Sequence, residues 1–67
     1  MNDRAAEILA AVRRLSKLSD GATSTPETLA TGLKFCDAGR EYGRTGEIAP
    51  MREAEQVCAA AWLRAGL

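Results

Sequence analysis

The stretch TPETLATGLKFCDAGREY, Thr25 to Tyr42, carries apolar residues on two adjoining faces of a would-be helix. Leu29, Leu33 and Cys36 share one face at i, i+4, i+7; Phe35, Gly39 and Tyr42 share the next at the same spacing. A helix with two apolar faces needs two neighbours, so this segment is expected between the rest of the chain, with Lys34, Asp37 and Glu41 left outside. Its start is marked by Pro26, whose missing amide does no harm in a first turn, with Thr25 as cap; Ser24 and Glu27 also stand at capping-box spacing. Gly32 and Gly39 read as packing glycines that admit a neighbouring helix, and Gly43 as the stop.

Upstream, Asp3 to Leu18 predicts an amphipathic helix, with Ala5, Ile8, Val12 and Leu15 as its stripe and Leu9 widening it. Asn2 or Asp3 can cap its free amides. Ser19 to Ser24 is a turn around Asp20-Gly21. Downstream, Gly43 to Ala49 is a second connection. Pro50 opens a third helix to about Ala65, stopped by Gly66. Its core face is Met51, Ala54, Cys58, Ala61, Trp62 and Ala65, widened by Val57. Short connections favour antiparallel neighbours. The expected fold is all-α, a small up-down-up three-helix bundle with short loops, one domain over residues 1–67 with helices at about 3–18, 26–42 and 50–65.

At 67 residues the chain is near the lower limit for burying a core unaided. Its 46% hydrophobic content argues against disorder, but Phe35, Tyr42 and Trp62 are its only aromatics, so the core is aliphatic and alanine-rich. A core this small supplies only ~3–5 kcal/mol, which makes self-association relevant. No run approaches the ~20 apolar residues of a membrane span, and MNDRAAEILAAV lacks a signal peptide's apolar stretch. A cytoplasmic setting with reduced thiols is the expectation.

Nine basic and nine acidic residues cancel, whereas nucleic-acid binders carry a basic excess. There is no histidine, the commonest general base and metal ligand. Cys36 and Cys58 cannot make a zinc site alone, and no base stands ready to activate them or Ser16, Ser19 and Ser24. On antiparallel helices the two cysteines fall at about the same height, both inward by spacing, as small buried hydrophobes or, in an oxidising setting, a disulfide. Gly43-Arg44-Thr45-Gly46 lacks the spacing of a phosphate-binding loop. No catalytic residue, cofactor or metal ligand is expected, and no enzymatic activity.

Elimination leaves surface recognition. The expected function is a small protein–protein interaction module: an adaptor, a regulatory subunit or an inhibitor of a larger assembly. Small accessory proteins of phages and mobile elements, anti-CRISPR-type antagonists among them, form such a class; that is a base-rate expectation, carried by no particular residue. The candidate partner-binding residues are Arg13, Arg14 and Lys17 on the first helix, Arg40 and Arg44 near the second connection, and Arg52, Gln56 and Leu63 on the third. Arg13, Arg14 and Lys17 also simply complement the helix dipole. Arg40 is placed to pair with Glu47, to reach water at the bundle end, or to meet a partner. The lightly charged face of Gln56, Ala59, Ala60 and Leu63, ending in Leu67, is a candidate homodimer seam. The alternative is a helix-turn-helix-like DNA-binding regulator. Against it stand a second connection longer than that motif's ~3–4-residue turn, and Glu53 and Glu55 beside Arg52 and Gln56.

Overall fold

The computed structural model describes residues 2–66 and consists of three helices, α1 (Asp3–Ser19), α2 (Pro26–Thr45) and α3 (Ala49–Ala65). They pack as the small all-α three-helix bundle that the periodicity predicts, with no strand among the described residues. The local start signals work as read. Asn2 caps α1, its side chain accepting from the Ala5 amide at 2.7 Å. Thr25 caps α2 by accepting from the Thr28 amide at 3.1 Å, while Thr28 Oγ1 accepts from the Thr25 amide at 2.8 Å. Thr28, not Glu27, thus closes the capping box, and it does so buried, at 2% exposure.

The end of α2 differs from the expected stop. The helix runs through Gly43 to Thr45, helped by Thr45 Oγ1 donating to the Glu41 carbonyl and by the Arg44–Glu41 ion pair. Gly46 ends it at φ +82°, its amide donating to the Tyr42 carbonyl at 2.8 Å. Only glycine enters that left-handed region without strain. Arg4 covers this cap: its Nη1 donates to the Gly43 carbonyl at 3.1 Å, tying the start of α1 to the end of α2. The second connection is therefore only Gly46–Ile48, shorter than the Gly43–Ala49 loop read from sequence.

The core is small. Ala11, Leu15, Phe35, Tyr42, Met51 and Cys58 form its buried cluster, with Ile8, Ala54 and Trp62 packed against it. On α3 this matches the expected stripe, except that Val57 is 48% exposed. On α1 the buried stripe is rotated: Ala11 is fully buried, while Val12 and Leu9 lie at 40% and 36% exposure. The largest correction concerns α2. Phe35, Gly39 and Tyr42 are buried, but Leu29 and Leu33 are 62% and 61% exposed and Cys36 is exposed too. The first face is uncovered because α3 takes the most extensive contact with α2, α1 packs mainly on α3, and α1 and α2 touch least. Gly32 is accordingly no packing glycine, since a Cβ there would meet nothing within 4 Å.

Two glycine substitutions should move stability in opposite directions. Gly32→Ala, in mid-helix with open space around it, should raise unfolding free energy by about 0.5–1 kcal/mol. Gly46→Ala should lower it by about 1–2 kcal/mol, because its Cβ enters the left-handed region and falls 2.8 Å from Arg4 Nη2. Urea unfolding followed by helical circular dichroism measures both.

Candidate protein-docking groove

Of the basic residues singled out in sequence, Arg14 and Arg52 come together on the α1–α3 side around Glu7 and Glu55, while Arg40 and Arg44 pair along α2. Arg14 turns to α3 and grips Glu55 in a fork, Nε–Oε2 at 2.7 Å and Nη2–Oε1 at 2.9 Å. Arg52 approaches Glu7 at 3.9 Å, Arg44 holds Glu41 at 2.6 Å, and Arg40 reaches Asp37 at 3.4 Å. Arg40 thus pairs along its own helix, not with Glu47. Arg13, Lys17 and Gln56 are exposed on their helices. Leu63 stands at 59% exposure beside half-buried Ala59 and Ala60, and Leu67 lies outside the described residues. These pairs latch one helix to another, or one turn to the next, and use up the charge that a partner would meet.

Two of the ion pairs leave an electrostatic mark. The Arg14 fork holds the Glu55 carboxyl below its ordinary range of about 4.5, chiefly through its hydrogen bonds, against partial desolvation. The Glu55 side chain is only 15% exposed, so this pair bridges α1 and α3 at the edge of the core. Arg44 lowers Glu41 in the same way, fully in solvent.

A further feature is apolar and went unread in sequence. Along the exposed side of α2 runs a groove of three adjoining depressions, two of them between α1 and α2 and the third between α2 and Trp62 of α3. The middle one, about 230 Å³, is walled by Val12, Leu15 and Ser16 of α1, by Gly32, Phe35 and Cys36 of α2, and by Trp62 of α3. Toward the end of α2, one of about 310 Å³ lies among Ile8, Val12, Phe35, Cys36, Gly39 and Arg40. Toward the start of α2, one of about 290 Å³ lies among Thr28, Leu29, Gly32, Leu33 and Trp62. Almost all of this lining is carbon and sulfur. Both cysteines border the groove with free thiols, Cys58 buried in its floor and Cys36 exposed on its wall, so the expected inward pair is half right.

A still larger depression, about 430 Å³, lies near Asp37, Glu41 and Glu47, and two of its carboxylates are engaged by Arg40 and Arg44. Among the described residues no three cysteine or carboxylate ligands gather for a metal, and no helix is long and apolar enough to cross a membrane. Compared with protein-family models, with curated proteins and with solved structures, the chain matches none. The groove was missed because both apolar faces of α2 have the spacing of a core stripe and both were expected to be covered. The exposed face was legible only once the position of α1 was known.

The Glu55 shift sets a pH dependence. A carboxylate depressed in the folded state contributes stability above its unfolded value, and that contribution is lost as pH falls through the folded one. The urea midpoint should therefore fall on acidification below about pH 5. Glu55→Gln should lower the midpoint at neutral pH and flatten that decline; an unchanged slope would show that the Arg14 fork carries none of it.

Proposed function

We propose that this chain is a protein–protein interaction module whose docking surface is the apolar groove along the exposed side of α2, flanked by α1 and by Trp62 of α3. The observation that carries this reading is the exposure of Leu29 and Leu33 beside a trough floored by Phe35 and Trp62. A small bundle that leaves such residues in water gives up core energy that burial would return, at ~1.5–3 kcal/mol for each leucine fully covered. Contiguous exposed apolar surface of this kind marks interaction sites more often than scattered single residues do. The trough is open along its length and lined by α2 with α1 and Trp62 of α3 at its sides, a form that accepts an amphipathic helix with anchors at i, i+3, i+4 and i+7. In this reading the chain acts as an adaptor, a regulatory subunit or an inhibitor, by contact and without chemistry, and Arg13, Lys17, Arg52 and Gln56 contribute at most to a rim. The cytoplasm, where Cys36 and Cys58 stay reduced, is the setting proposed for it.

A photo-reactive phenylalanine placed at position 33 tests the surface in the cell. It should yield one discrete protein adduct that is lost when Val12→Asp is added across the groove. Adducts from positions 13 and 52 but none from 33 would move the site to the basic residues and overturn the groove.

One observation favours the second reading, a helix-turn-helix-like DNA-binding regulator. The Gly46–Ile48 connection falls within that motif's ~3–4-residue turn, so the loop-length objection raised from sequence does not stand. The charge objection does: Arg52 and Arg64 of α3 are paired with Glu7 and Glu27, and Glu53 and Glu55 lie beside Arg52. Fluorescence anisotropy with labelled duplex DNA at low salt should show no saturable binding. Binding that weakens steeply as salt rises would revive this reading.

A further inference from the structure

Resting on the groove reading above, we infer that α1 is a hinged wall of the groove. Its second half swings onto α2 and closes the middle depression, and the Arg14–Glu55 fork holds it open. The geometry of the α1–α2 seam points to this. Along it Arg4, Ile8, Val12 and Ser16 of α1 pass Gly43, Gly39, Cys36 and Gly32 of α2 in that order. At the first two levels the seam is joined. Arg4 Nη1 donates to the Gly43 carbonyl at 3.1 Å, and Ile8 lies 4.0 Å and 3.9 Å from where Cβ atoms at Gly39 and Gly43 would stand. At the next two levels it is parted. Val12 is 40% exposed, Cys36 is exposed, and a Cβ at Gly32 would meet nothing within 4 Å. The depression of about 230 Å³ opens here, with Ser16 on one wall and Gly32 on the other.

A seam joined at one end and parted at the other has its pivot at the joined end. The parted levels oppose Val12 and Ser16 to Cys36 and Gly32, side chains small enough for the two helices to come closer. What opposes closure is on the other flank of α1. Arg14, between Val12 and Ser16 in the chain, grips Glu55 at 2.7 Å and 2.9 Å and draws the parted half toward α3. The swing is small, because Ala11 and Leu15 must keep their places in the core. The opposing contributions are of similar size. An ion pair whose arginine is 57% exposed contributes modestly, and so does the partial burial of one valine and one cysteine. Two arrangements of α1 therefore lie within reach of each other, and the fork sets their ratio. Closure removes the trough between Val12 and Phe35, so docking belongs to the open arrangement.

A disulfide traps the closed arrangement. Ser16→Cys and Gly32→Cys, in a Cys36→Ser background, bond when their Cβ atoms approach to ~3.8 Å. In the open form no heavy atom stands within 4 Å of that position at Gly32. Mild oxidation with diamide, which takes up the two thiol hydrogens, should nonetheless form the 16–32 bond, located by peptide mass. Glu55→Gln should speed its formation roughly 2–5-fold, the shift in an equilibrium that loss of a half-exposed ion pair gives. Buried Cys58 is the internal control: its alkylation under native conditions should stay as slow as in the parent chain, and circular dichroism should show the helices kept. The trap also operates with the fork intact, so the test does not hang on how well the Glu55→Gln chain folds. No 16–32 bond in either chain, or equal rates in both, overturns the inference. So does a bond that speeds only as Cys58 becomes reactive, which is general loosening. The trap needs no partner, which separates it from the position-33 adduct. An adduct without a 16–32 bond keeps the groove and removes the hinge; a 16–32 bond without an adduct removes the groove and with it the hinge's part in docking.

Discussion

The bundle depends on the packing of α3 against α2, where Met51, 1% exposed, sets its sulfur within 3.9 Å of the place a Gly39 Cβ would occupy. Around that contact Phe35 and Tyr42 meet a face of α3 built from Ala54, Cys58 and Ala61, residues small enough to let the two helices approach. The turn that brings them together is short and begins at a glycine in the left-handed conformation, so α2 and α3 fold back on one another as near neighbours. Helix α1 then completes the core from the α3 side, with Ala11 fully buried and the Arg14–Glu55 fork holding the edge.

That order of contacts explains the surface. Three helices of this length can cover one face of α2 fully, but α1, drawn to α3 by Ala11, Leu15 and two ion pairs, leans away from the second. The result is an open trough whose walls are as apolar as the core beneath it. A core of this size carries little excess stability, so covering the trough would benefit folding as well as recognition. The charged residues play the opposite part. Nine acids and nine bases are interleaved so that five close pairs form among the described residues, and what remains is scattered.

Sequence reasoning went furthest where interactions are local. A capping side chain, a proline in a first turn or a 3.6-residue period acts within a few positions, so the starts of α1 and α2 and the stripe on α3 could be read directly from Asn2, Thr25-Pro26 and Met51-Cys58-Ala61. It failed between near-equal local choices. Gly43 and Gly46 are both able to end α2, and the chain alone does not say that Arg4 of α1 will sit over Gly46. The basic residues were legible as exposed; that Arg14 and Arg52 would be spent on Glu55 and Glu7 was not, because those two pairings depend on which helix lies alongside.

By itself, then, the sequence determined three amphipathic helices, their number, approximate extent and antiparallel succession, and a chemistry poor in catalytic groups. Tertiary structure alone decided which of the two apolar faces of α2 would be buried. Both have the spacing of a core stripe, and periodicity measures only that a face is apolar. Whether it is covered depends on where the neighbours come to rest, and here the Phe35, Gly39 and Tyr42 face was taken into the core while α1, packed more on α3 than on α2, left Leu29, Leu33 and Cys36 in water.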